Sequence, residues 1–273
     1  MKKYFMIAMT AVVLMACGSK SESTGLPEAE DKALEVATVE AIDQLGESPE
    51  TVDAALVKAG FKQAEIALPD FGKIPARSLK KAPAGLDGRG VTYVYGLPDN
   101  YKSMSDAQIM AWMVQRIVDG KPIIIAIVTY ENNKMANMGT SVILAKNDKS
   151  SKVYTATSEN LYSKLPSDKS KSRWEGGITY GEGTKDTKTT PYDDHSAYVA
   201  AVAKAEGMEA YEQATALTEG SLKYDLPTET AVGYMYYCNF INPSAQQEAE
   251  QLKSGAPAAL VMQSYSITII GEL

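Results

Sequence analysis

Apolar positions recur along this chain with two different periods, and the alternation between them outlines the elements. Leu34, Val36, Val39, Ala41, Ile42 and Leu45 form a loose helical stripe over Glu28–Leu45, closed by Gly46. Ser48 and Pro49 then open a second helix, which presents Val52, Ala55, Leu56 and Ala59 and stops at Gly60. The best-specified helix starts at Ser105, where Gln108 completes a capping box. Ile109, Met110, Met113, Val114 and Ile117 share one face, and Gly120 and Pro122 end it. A further helix spans about Ser196–Glu206 before Gly207.

Strand signals fill the gaps. Phe61–Leu68 reads as a short strand, followed by a Pro-, Gly- and Lys-rich connection to about residue 90. Val91–Tyr95 and the β-branched run Ile123–Tyr130 read as strands, the latter central. Ser141–Ala145 and Lys152–Thr157, joined by Asn147-Asp148-Lys149-Ser150, read as a hairpin. Val232–Ile241 and Ala258–Ile270 are apolar on both alternations, as strands buried on both faces are. Residues 163–194 are rich in Lys, Ser, Thr, Gly and Asp and read as a polar linker or partner-binding loop.

The order of signals then returns. Helix and glycine (Gly60, Gly207), paired strand tyrosines (Tyr93 and Tyr95, Tyr234 and Tyr236), and a capping-box helix (Ser105 with Gln108, Ser244 with Gln247) recur in sequence. Gly-x-Pro before a strand follows in each copy (Gly120, Gly255). The expected fold is therefore α+β: two related lobes of helix-strand-helix-strand units on a mainly antiparallel sheet. The first lobe covers 31–162 and the second 195–273, with the linker between.

The N-terminus is patterned for export. Lys2 and Lys3 precede an apolar run from about Tyr4 to Met15, which is too short for a lasting span of a bilayer. Leu14-Met15-Ala16-Cys17 resembles the lipobox of bacterial envelope lipoproteins. That resemblance implies a signal peptide over 1–16, lipid on the Cys17 thiol and acylation of the new amino group. Gly18, rather than Asp, implies the outer membrane. Residues 17–30 read as a flexible tether, which would hold the body roughly 20 Å from the bilayer.

Charge and cysteine count narrow the classes. Loss of the two lysines with the signal takes the formal charge from −7 to −9. An acidic chain without a basic block does not suit nucleic acid or anionic lipid headgroups. Of the 2 cysteines, lipid would take one, leaving Cys238 in an apolar run as a small hydrophobe without a disulfide partner.

Catalytic motifs find little footing. The chain has 1 histidine, His195, so any nucleophile–imidazole pair must use it. Asp193, Asp194 and His195 could hold a metal, but at a helix start they read more simply as a cap. Asp148–Glu159 has calcium-loop length, yet Lys152 and Val153 stand where an oxygen ligand and glycine belong. In the glycine-rich stretch 176–183, Glu182 occupies the place of a phosphate-loop lysine. No cofactor is expected. Aromatic residues remain: Trp174 and Tyr180 in the polar segment, and Tyr93 and Tyr234 near a crevice between lobes, are the candidate contacts for a protein or glycan. The expected role is non-catalytic binding at the envelope. The alternatives are a carboxylate-based hydrolase of polymers and a periplasmic small-ligand carrier.

Overall fold

A computed structural model describes residues 22–64, 90–145, 148–164, 172–180, 188–206, 216–225, 231–241 and 260–270. The fold is α+β. Its strands are β1 (Phe61–Gln63), β2 (Val91–Tyr95), β3 (Ile123–Glu131), β4 (Lys134–Ala145), β5 (Ser172–Tyr180), β6 (Lys188–Tyr192), β7 (Ala216–Asp225), β8 (Ala231–Ile241) and β9 (Leu260–Ile270). They make one sheet in the order β1-β2-β3-β4-β9-β8-β7-β5-β6. Neighbours run antiparallel throughout. The helices are α1 (Glu28–Ala37), α2 (Pro49–Lys58), α3 (Asp106–Val118), α4 (Asp148–Ser163) and α5 (His195–Glu206).

Local chemistry sets the firmest boundaries. The Ser48 hydroxyl accepts from the Thr51 amide at the start of α2. At α3 the Ser105 hydroxyl accepts from the Gln108 amide, and the Gln108 side chain accepts from the Ser105 amide at 2.8 Å. Both helices end into left-handed glycines, Gly60 (φ +94) and Gly120 (φ +72), where a Cβ is disfavoured.

Three expectations are corrected. The first helix stops at Ala37 rather than Leu45. Thr38 turns its hydroxyl back to the Leu34 carbonyl at 2.6 Å, and Glu40–Ile42 continues as a short 3-10 turn. The hairpin expected across 147–150 is absent, because Lys152–Thr157 lies inside α4. The partner of β4 is instead β3, through Asn132-Asn133. Both asparagines have positive φ (49 and 59), the twist that a two-residue hairpin demands. Residues 163–194, read as a linker, contribute β5 and β6 to the sheet.

The core has two layers around the sheet. On one face, α1, α2, α4 and α5 bury Leu34, Leu56, Tyr154 and Tyr198 against Ile124, Ala126, Val128, Val142 and Tyr265. On the other, Ile109, Met113 and Ile117 of α3 cover Ile123, Ile125, Ile143 and Met262. Both alternations of β3 are thus buried from Ile123 to Ala126, while Ile127, 39% exposed, marks where the cover of α3 ends. The two halves of the chain meet at β4 and β9, paired from Asn137↔Thr268 to Ala145↔Leu260. Outward from the β4–β9 pair the strand numbers fall on both sides, as β3-β2-β1 on one and β8-β7 on the other. The duplicated helix expected from Ser244 lies outside the described residues, and the duplication stays an expectation.

Candidate functional site

The N-terminal segment is where the structure adds most to the sequence. The expected tether over 17–30 is docked from Glu22 onward. The Glu22 amide donates to Asn160 Oδ1 at 2.7 Å, and Asn160 Nδ2 donates to the Glu22 carbonyl at 2.9 Å. Thr24 is buried and donates its hydroxyl to Asp31 Oδ1 at 2.7 Å. Residues 22–27 therefore form a strap on α1 and α4. Acidic Glu28, Glu30 and Asp31 occupy the first turn of α1, where the helix dipole favours them.

Beside the strap is a shallow, partly open cavity of about 20 Å³, lined by Thr24, Asp31, Glu35, Thr38, Thr157 and Asn160 together with Leu34 and Val39. A volume of that size holds one water or one ion. The Thr157 hydroxyl is buried, with no hydrogen-bond partner among the described residues.

Alongside, α5 meets α4. Asp194 accepts from the Ala197 amide at 2.8 Å and so caps α5, the role its position predicts. His195 is 3% exposed, and its ring stacks on Tyr162 at 4.0 Å and 10°. Burial lowers its pKa to about 4 against a smaller opposing pull from Asp194, so the imidazole is neutral at pH 7. Its Nδ1 lies 3.4 Å from Glu159 Oε1. The Glu159 carboxyl is raised by burial first, then by the charges of Glu22 and Asp194.

The metal alternative at Asp193, Asp194 and His195 gains no geometry. The two aspartates are exposed while the imidazole is packed inward, and among the described residues no three metal-ligating side chains gather.

The aromatic candidates do not form one site. Tyr93 is 2% exposed, and its hydroxyl donates to Asp53 of α2 at 3.0 Å. Burial, then that bond, pushes its pKa far up; Tyr130 is raised by burial first and by the charges of Asp53 and Glu50. Tyr93 thus pins α2 to the sheet instead of facing a crevice. Register places positions 174 and 234 in one cross-strand row with Ile267, Met138 and Val128. Position 180 lies six residues further along β5, paired with Ala216 of β7 and Lys188 of β6. Along the sheet, β2 is four spacings from β8 and six from β5, about 19 and 29 Å. Cys17 lies outside the described residues.

Sequence reasoning missed the strap and its receptor. Asn160 and Thr157 fall in or beside a stretch that reads as β-branched strand. Only the 3.6-residue recurrence of Val153, Tyr154, Thr157 and Leu161 marks that stretch as a helix. The chain matches no protein-family model, no curated protein and no solved structure.

Proposed function

We propose that this protein is a lipid-anchored component of the bacterial cell envelope that binds a protein or glycan partner without chemistry of its own. The lipobox at Leu14-Met15-Ala16-Cys17 motivates the anchor. The observation that carries the reading further is the docking of the strap at Glu22, only five residues after Cys17. A five-residue spacing corresponds to a coil length of about 12 Å, against the roughly 20 Å expected for a tether running to residue 30. The flank built from α1 and α4 is then turned toward the bilayer.

The opposite face of the sheet is turned outward. Beyond α3 it carries exposed Ile127 amid half-buried Asn137, Ser141, Ser264, Ser266 and Thr268, a polar surface of short hydrogen-bonding side chains. Such a surface, with an apolar residue at its centre, suits a protein or glycan. Two measurements test this reading. Replacement of Cys17→Ser should block lipidation and release the protein from washed membranes; retention in the membrane fraction would sink the anchor. A photo-crosslinker placed at Ile127 in intact cells should capture a partner that one at exposed Val57 on α2 does not. Equal capture from both positions would remove the outward face from the proposal.

A further inference from the structure

The seam where the strap, α4 and α5 meet brings carboxylates from three segments together around a buried imidazole. Asn160 of α4 grips the strap at Glu22 through both of its amide atoms. Its neighbour Glu159, with a side chain 32% exposed, sets Oε1 3.4 Å from Nδ1 of His195, the first residue of α5. That ring is packed inward and stacked on Tyr162. The charges of Glu22 on the strap and of Asp194 before α5 both act on the Glu159 carboxyl, with Asp193 exposed one residue further out. The lysines of this flank are engaged elsewhere. Lys164 pairs with Asp43 at 3.1 Å, and Lys152 Nζ lies over Gly25 of the strap, 3.2 Å from where a Cβ would stand. Among the described residues, the ion-pair partner within reach of Glu159 is therefore His195, and its ring is neutral at pH 7.

We propose that Glu159 is a proton-operated latch for the N-terminal strap, which is held loosely while Glu159 is ionised and tightly once it is protonated. An ionised Glu159 adds a third negative charge to those of Glu22 and Asp194, and docking of the strap confines Glu22 beside it. Release of the strap carries Glu22 away and opens the carboxylate to water. Burial first, then those two charges, hold the docked carboxyl above its ordinary 4.5. A group that binds its proton more firmly in the docked state favours docking as the pH falls. The contribution is complete below 4.5 and is lost as the pH rises through the raised value. His195 titrates lower, at about 4, so above that pH Glu159 changes charge beside a neutral ring. The strap thereby makes the hold on the N-terminal segment depend on the surrounding pH. The latch does not depend on the lipid at Cys17.

The test is hydrogen exchange of the full chain between about pH 5 and pH 8, corrected for the intrinsic exchange rate at each pH. The amides of Glu22 and Leu26 donate to Asn160 and Thr24 and report on the strap. Their protection, taken relative to amides in the middle of α3, should fall about threefold across that range, the scale of repulsion between partly exposed charges. Glu159→Gln has the same shape without the charge, so its strap should keep the protection of pH 5 throughout. Glu22→Gln leaves Glu159 and its ring contact in place and should shrink the change without abolishing it, since Asp194 remains. Equal strap protection at both ends of the range in the unaltered chain would overturn the proposal. A fall in Glu159→Gln as steep as in the unaltered chain would overturn it as well, and so would an undiminished fall in Glu22→Gln.

Discussion

The imidazole of His195 is kept neutral because its ring lies against Tyr162 with 3% exposure. A histidine lowered from its ordinary 6.5 to about 4 adds stability that is complete above pH 6.5. That contribution is lost as the pH falls from 6.5 to 4 and changes no further below. Its size is up to about 3 kcal/mol. Glu159 acts with the opposite sign: its raised carboxyl favours the folded state as the pH drops through that raised value. Urea unfolding across this range should show a stability decline that His195→Phe, which keeps the stack, largely flattens. An unchanged slope in the variant would remove His195 as its source. Of these residues the sequence made Asp194 legible as a cap, since capping needs only neighbours in the chain. The partners Tyr162 and Glu159 were not legible, because they come from another helix.

At the scale of elements, Arg116 of α3 reaches around the sheet to Glu30 of α1. The pair is 3.3 Å apart with side chains 12% and 7% exposed. The guanidinium also lies over Tyr95 and Trp112 and donates to the Pro122 carbonyl at 3.1 Å. Glu30→Ala leaves that cation without its carboxylate and should cost about 3 kcal/mol, while Glu30→Leu with Arg116→Met should recover most of the loss. Denaturant midpoints of the single and double variants decide the matter. Ser105→Ala, which removes one half of a capping box on the surface, should cost only about 1 kcal/mol by the same measurement. Asn160→Ala should free the strap: cleavage before α1 by a protease should speed up while the unfolding free energy falls by about 2 kcal/mol or less, about the value of two hydrogen bonds. Protection equal to that of the unaltered chain would show that the strap is held by other contacts.

The same elements show why sequence reading succeeded in some places. Helices α2 and α3 announce themselves through caps and glycine stops, which are local. Helix α4 is rich in Val, Tyr and Thr, which favour strands. It is a helix because packing against the sheet, with Val153, Tyr154 and Leu161 inside, outweighs that preference. Strands β5 and β6 were hidden for a related reason. Their polar, glycine-rich residues extend only because β7 supplies a pairing edge more than thirty residues further along the chain.

For the molecule as a whole, the sheet unites what the sequence divides. Gln263, 0% exposed, donates from β9 to the Ser150 carbonyl of α4 at 2.6 Å and accepts from the Tyr265 hydroxyl at 3.0 Å, tying the late chain to the early one. Residues 195–273 expressed alone should therefore fail to fold, because β9 would lose β4 along its whole length. Sharp, dispersed amide resonances from that fragment would show otherwise. The antiparallel α+β class was legible from periodicity, whereas the joining of β4 to β9 was not, since no local signal names a partner more than a hundred residues away.

Of the described elements β9 comes last in the chain, yet it occupies the middle of the sheet. A nascent chain lacking it holds two incomplete half-sheets, each with an unpaired inner edge. Such a polypeptide cannot lock prematurely, so the sheet stays open until β9 has been made, and closure is then a single late event.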